Sequence, residues 1–176
     1  MAEMRRAAAA ADHARRPGVP RSSAVRTVVV WEVLRTALAQ RAAAAGRAVL
    51  DVVDAGGGTG GFAVPLAELG HRVTVVDPSP DALAALERRA ADSDVSVRGV
   101  QGDAHDLLGL VGAGAADMVL CHSVLEYVDS PAATMASLAA AVRPGGAVSV
   151  LAAGRLAAVL HRALAGHFDD SRRVLA

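Results

Sequence analysis

The chain has no lysine, no asparagine and no isoleucine, and among its 176 residues it has one cysteine and four aromatics, Trp31, Phe62, Tyr127 and Phe168. Each shortage removes something. Without lysine there is no phosphate-binding P-loop, which requires one, and no Tyr-x-x-x-Lys pair of the kind that serves many oxidoreductases. A single cysteine, Cys121, permits no internal disulfide, which fits a reducing cytoplasm. No apolar run approaches the roughly 20 residues needed to cross a bilayer. The formal net charge is zero, so bulk electrostatics points to neither DNA nor an acidic membrane as partner. All 18 basic residues are arginine. Lysine, asparagine and isoleucine disappear together under G+C-rich codon usage, so the arginines are read as codon bias and not as an RNA-binding signature.

What is present suits one domain. Hydrophobic residues make up 53% of the chain, mostly Ala, Val and Leu. That suffices for a core poor in large anchors, with about two-thirds of the unfolded chain's surface buried on folding. Residues 1–21 set basic residues around an alanine run and read as a flexible tail, because alanine is too weakly apolar for a signal-peptide core. From Ser22 or Ser23, Val25, Val28, Val29, Leu34 and Leu38 form a helical stripe that Gly46 is placed to stop.

Strands and helices then alternate. Strands are expected at 48–55, 72–77, 95–103, 117–122 and 146–153. Helices are expected around 61–69, after Ser79-Pro80, and after Asp129 or Ser130 with Pro131. Residues 155–176 read as one helix plus a tail. Strands separated by helices imply parallel pairing, a doubly wound α/β sheet with a Rossmann-like arrangement.

The chemistry concentrates between two apolar runs that each end in an acid, in VVDAGGGTGGFAVPLAELGHRVTVVD (52–77). Gly56, Gly58 and Gly61 fit a dinucleotide pattern, and Asp54-x-Gly56-x-Gly58-x-Gly60 fits a methyltransferase loop. Glycines at the end of the first strand let a ligand approach the backbone, and the next helix offers N–H donors. Asp77 can accept hydrogen bonds from both ribose hydroxyls of an adenosine. These features serve NAD and S-adenosylmethionine alike. Three others favour the second: Asp54, poorly placed beside a pyrophosphate but able to attract an ammonium; Asp103-Ala104 at the end of the third strand; and RPGG before the fifth.

Taken in order, Asp54, the glycine loop, Asp77, Asp103 and RPGG resemble class I S-adenosylmethionine-dependent methyltransferases over residues 22–153. SSAVRTVVVWEVL, DAGGGTGGFAVPLAELGHRV, LCHSVLEYVDSP and LHRALAGHFD are more closely similar to the bacterial tRNA 5-carboxymethoxyuridine methyltransferases and their relatives. The resemblance implies S-adenosylmethionine as cofactor, met by Arg26 from the leading helix, Gly56 and Gly57 with Asp54 and Gly58 in the loop, Asp77 at the ribose, Asp103, Ala104 and His105 at the adenine, and His122 after the fourth strand.

It also implies a sheet that continues past the fifth strand, so the fold is expected to be truncated there, with residues 22–176 an incomplete domain whose exposed edge invites self-association. The chain departs from the pattern at Ala152-Ala153-Gly154, where the relatives are bulkier and more polar. The methyl acceptor is then a tRNA or a small molecule. A carboxylate acceptor needs no base. A phenol, amine or alcohol can need one, with His122 the first candidate and Glu126, four residues on, the second if that segment is helical. The rival readings are a nonenzymatic cofactor-binding fragment and, more remotely, an NAD-dependent oxidoreductase. His161, His167, Asp169 and Asp170 are too loosely spaced for a metal site.

Overall fold

The computed structural model describes residues 22–175, so the expected tail at 1–21 lies outside it. The leading helix, α1 (Ser22–Ala45), stops at Gly46, whose φ of 64° is in the left-handed region that ends helices cheaply. The chain divides into two units within this helix, one ending at Ala37 and one running from Leu38. The second carries the sheet.

That unit is a five-stranded sheet, parallel throughout, in the order β3-β2-β1-β4-β5. The strands are β1 (Asp51–Ala55), β2 (Arg72–Asp77), β3 (Val97–Gln101), β4 (Ala116–His122) and β5 (Val142–Leu151). Between them run α2 (Ala63–Glu68), α3 (Pro80–Asp92), a 3-10 turn (Ala104–Asp106) leading into α4 (Leu107–Val111), and α5 (Pro131–Ala141). The helix starts follow the sequence closely. Ser79 Oγ accepts from the Ala82 N–H at 3.2 Å and Ser130 Oγ from Ala133 at 3.3 Å, each with proline in the first turn.

The central strands β1 and β4 are buried almost from end to end, as a parallel sheet covered on both faces requires. On one face Val53, Ala55, Val76, Val119 and Cys121 pack with Ala104, Leu107, Leu138 and Ala141 of the 3-10 turn, α4 and α5. Strand alternation sends Val52, Asp54, Val75, Met118 and Leu120 to the other face. Each apolar side chain fully withdrawn from water stabilises the fold by about 1.5–3 kcal/mol. An acid among them is the exception that needs a reason.

The amino ends of the strands are tied by ions. Asp117, fully buried, accepts from the Asp51 N–H at 2.8 Å and pairs with Arg41 and Arg143 at 3.2 Å and Arg47 at 2.5 Å. Burial pushes its pKa up, but the Asp51 N–H and the Arg143 and Arg47 charges outweigh that and hold it below the ordinary value. Asp51 in turn pairs with Arg72 at 2.7 Å and Arg143 at 3.1 Å.

Two expectations need correction. β5 begins at Val142, not 146: RPGG is a bulge inside the strand, for Ala116 pairs with Val142 and Met118 with Ala147. Residues 155–175 form two helices, α6 (Arg155–Leu164) and α7 (Phe168–Leu175), not one. Gly166, at φ 83°, ends the first in a Schellman turn, its N–H bonded to the Ala163 carbonyl and that of His167 to Arg162. Among the described residues β5 pairs with β4 alone.

Candidate active site

In an open parallel sheet, ligands bind outside the carboxyl ends of the strands where the strand order reverses. Here that point lies between β1 and β4, and the glycine loop, Asp54 and His122 all sit there. Gly56, Gly58 and Gly60 have φ of 74°, 54° and 79°, and the Gly56 N–H donates to the Val76 carbonyl at 2.7 Å, so the loop turns sharply off β1 against the end of β2. A methyl group at Gly56 would collide with the Val124 side chain, whereas one at Gly58 would stand 3.8 Å from the Asp77 carboxylate with nothing nearer. Gly58 therefore leaves open the space over Asp77.

Asp77 ends β2 and is largely buried. Its Oδ2 accepts from the Gly58 N–H at 2.8 Å and its Oδ1 from the Ser79 N–H at 2.9 Å. It serves both as the internal brace of the loop and as a carboxylate with further acceptor capacity beside open space. Asp54 lies in β1 between Val75 and Leu120 of the neighbouring strands and retains 3% exposure. A Cβ built on Gly57 would stand 2.5 Å from its Oδ2. Burial, and then the negative charge of Asp77, push its pKa up to about 7.

At the end of β3, Gly102 donates to the Asp77 carbonyl at 3.2 Å. Asp103 Oδ1 caps the following 3-10 turn by accepting the His105 N–H at 3.1 Å. The His105 ring lies between two acids, Nδ1 2.8 Å from Asp103 and Nε2 3.2 Å from Asp106. The Asp103 hydrogen bond, with both charges helping, raises the pKa of this exposed imidazole. Ala104 between them is buried.

At the end of β4, His122 Nε2 lies 2.9 Å from Ser149 Oγ of β5. The Phe62 ring, at the end of the glycine loop, meets the imidazole edge-on at 4.9 Å. His122 Nδ1 is buried without a partner, and burial holds the imidazole pKa below its ordinary value. Ser123 then adopts φ 57°, uncommon for a residue with a side chain, and donates to the Leu151 carbonyl at 2.6 Å.

One expectation drawn from residue spacing does not carry through. Glu126 lies in a turn and not in a helix, and its Oε1 accepts the Ala153 N–H at 2.5 Å, tying the β4 exit to the β5 exit. Arg26 lies in α1, but its side chain falls outside what is described. The remaining candidates, Asp54, Gly56, Gly57, Gly58, Asp77, Asp103, Ala104, His105 and His122, stand along one edge of the sheet. Phe62, Val124 and Ser149 join them unannounced. Phe62 is legible as a rare aromatic directly after the glycines; nothing marks one serine in a strand.

Comparison with known proteins identifies the family. A family model described as "Methyltransferase domain" matches residues 53–150. The tRNA 5-carboxymethoxyuridine methyltransferase of Escherichia coli (strain K12) is 31% identical over 147 residues, 82% of this chain and 54% of that protein. A ubiquinone biosynthesis O-methyltransferase of Methylocella silvestris is 40% identical over 97 residues, 55% of this chain and 37% of that protein. The chain thus spans about half the length, or less, of these curated relatives. The structure of monomeric WbdD superposes with a TM-score of 0.57 at 18% identity, covering 73% of this chain and 30% of that one, a likeness of fold.

Proposed function

We propose that this chain, which belongs to the class I S-adenosylmethionine-dependent methyltransferase family, transfers a methyl group to an oxygen or nitrogen nucleophile at the β1–β4 crevice. The observation that carries the reading is the pairing of Asp77 with Gly58. The carboxylate braces the loop through one N–H, and a Cβ at Gly58 would meet nothing nearer than Asp77 itself at 3.8 Å, so the space beside it is open. A ribose diol fits there, each hydroxyl donating to an oxygen that retains a lone pair.

The remaining parts of the cofactor follow the strand order. Ala104 and His105, with Asp103 as their cap, would flank the adenine at β3. Gly56, Gly57 and Gly58 would approach the methionyl portion, and the buried Asp54 would meet its ammonium, the cation its raised pKa calls for. Arg26 is proposed as a further contact on the strength of the resemblance alone. When bound, the cofactor supplies an electrophilic methyl carbon on a sulfonium. The protein's part is to align donor and acceptor and to exclude water, so proximity and orientation dominate. With adenosine over β3 and β2 and the methionyl group over β1, the methyl is left toward β4, where His122 stands.

The likeness to the tRNA enzyme supports a uridine carboxylate as acceptor, and the likeness to the ubiquinone enzyme supports a small-molecule hydroxyl. Calorimetry with S-adenosylhomocysteine and with NAD tests the cofactor reading. Saturable heat is expected for the first alone, and saturable NAD binding without a response to S-adenosylhomocysteine would sink it.

A further inference from the structure

One face of the sheet changes character along the outer strands. Near the carboxyl ends of β2 and β3 it holds Val76 and Val100, packed with the core under α4 and α5. Strand alternation puts Thr74 and Arg72 on that same face of β2, and Arg98 on that face of β3. The register sets Thr74 directly beside Arg98. Beyond the end of α4, toward the amino ends, a recess of about 450 Å³ opens on this face. Arg72, Thr74, Ser96 and Arg98 line it, with Val111 and Ala115 as an apolar wall. Strands of a parallel sheet buried on both faces read as apolar runs. Here four polar side chains converge instead.

The local charge is positive although the chain as a whole is neutral. Arg41, Arg47, Arg72 and Arg143 gather on Asp51 and Asp117, four cations on two anions. Asp51 also lines the recess, and it is met by Arg72 at 2.7 Å, Arg143 at 3.1 Å and Arg47 at 3.5 Å. Its charge is answered within the protein. That leaves donors over. Arg72 gives Asp51 its Nε–H, and its two Nη groups have no protein partner among the described residues. Arg98 enters no ion pair among them, and the Thr74 and Ser96 hydroxyls bond to no protein group there. Arg72, Ser96 and Arg98 are exposed to water, so holding them ready costs the fold little.

Two guanidiniums and two hydroxyls on adjacent strands select a ligand. Neighbouring strands stand about 4.8 Å apart and same-face residues about 6.6 Å apart along a strand, so one small group can meet both. A carboxylate offers two oxygens in one plane and saturates a single arginine fork. A tetrahedral dianion offers oxygens to both forks and to the hydroxyls as well. The recess is larger than such an ion and falls within the roughly 300–1,000 Å³ of small-molecule pockets. Its apolar wall suits the organic part of an ester.

We propose that this recess binds a phosphomonoester. Arg72, Arg98, Thr74 and Ser96 hold the phosphate, and Val111 and Ala115 meet the organic body. The site lies at the opposite end of the strands from the glycine loop and does not depend on the methyltransferase reading.

The test titrates the 176-residue chain with phenyl phosphate by calorimetry, with and without S-adenosylhomocysteine. Saturable binding of equal affinity is expected in both. In nitrogen NMR of the native chain, the Arg72 and Arg98 Nε–H signals should shift along the same saturation curve. Inorganic phosphate should bind at least about fourfold more weakly, the worth of one buried CH₂. Benzoate should bind at least about tenfold more weakly, because it cannot engage both forks. Arg98→Gln should weaken phenyl phosphate about tenfold or more and leave stability in urea and the response to S-adenosylhomocysteine unchanged. No saturable binding, displacement by S-adenosylhomocysteine, unmoved Arg98 signals, or native affinity in folded Arg98→Gln overturns the site. Equal affinity for inorganic phosphate or for benzoate overturns the phosphomonoester as its ligand. The native-chain arms do not depend on a variant folding.

Discussion

Replacing Asp54 with asparagine should stabilise the cofactor-free chain while weakening its hold on the cofactor. The side chain lies among valines and leucines at the centre of the sheet, and burial, then the Asp77 charge, raise its pKa from 3.8 to about 7. Such a rise corresponds to a penalty of about 4 kcal/mol on the charged form in the folded state. The sign follows from linkage. The folded pKa is above the unfolded one, so the folded state holds the proton more tightly. Stability is therefore greatest below about pH 4, falls as pH rises toward about 7, and is level beyond. Asparagine keeps the shape and cannot ionise, so its advantage over the native residue should reach about 4 kcal/mol near pH 8 but only about 1.5 kcal/mol near pH 5. Urea denaturation at the two pH values reads both numbers. In calorimetry the same variant should bind S-adenosylhomocysteine about tenfold more weakly, since a charged partner for the ammonium is gone. A stability gain that is equal at both pH values, or a loss near pH 8, would show that the carboxylate is not under this penalty. Tighter cofactor binding would show that it does not face the ammonium.

Three other expectations follow from the geometry. Asp77→Ala removes both the proposed ribose acceptor and the brace on Gly58 and Ser79; each charged-acceptor bond lost costs about 1.5–3 kcal/mol, so S-adenosylhomocysteine affinity measured by calorimetry should fall about tenfold or more. Gly60→Ala forces a side chain onto φ 79° and into Leu86, which should lower stability in urea by about 1–3 kcal/mol. Asp117→Ala strips three arginines of a fully buried partner and should cost about 3–5 kcal/mol. Because the folded pKa of Asp117 is depressed, its contribution is present above the unfolded value and lost as pH falls below it, so native and variant denaturation curves should converge in acid.

The parts of this molecule that local chemistry dictates can be read from the sequence. Gly46, Ser79-Pro80 and Ser130-Pro131 punctuate helices through their own φ preferences and side-chain oxygens, and each stands at the boundary expected of it. The acid-glycine-acid run brings Gly58 and Asp77 together because the turn off β1 meets the end of β2 beside it. What escapes depends on long-range register. RPGG reads as a turn, yet Arg143 within it reaches Asp117, and the pairing of Ala116 with Val142 extends the strand through it. Helical spacing from His122 misplaces Glu126, in a segment that does not become helical because Ser123 leaves β4 in the left-handed region. Gly166 carries the signal for a second C-terminal helix. A one-helix reading overlooks that a glycine ends one helix without forbidding the next.

The two ends of the sheet differ in how completely their polar groups are satisfied, and the difference separates folding from chemistry. At the amino ends, Asp117 and Asp51 are met by arginines from the end of α1, the link to β1, β2 and β5, so that the strands are clamped in register by mutually neutralising charges. At the carboxyl ends the same fold tolerates a buried acid with no cation beside it among the described residues, an imidazole nitrogen with no hydrogen-bond partner, and a serine in the left-handed region. Each of these costs free energy that a sequence selected for stability alone would remove by one substitution: asparagine at 54, an apolar residue at 122, glycine at 123. Unfavourable features persist where surrounding structure over-determines them, and they gather at sites of function. All three lie on β1 or at the exit of β4, the two strands that flank the switch point. A sulfonium amino acid bearing an ammonium would bring Asp54 the cation it lacks.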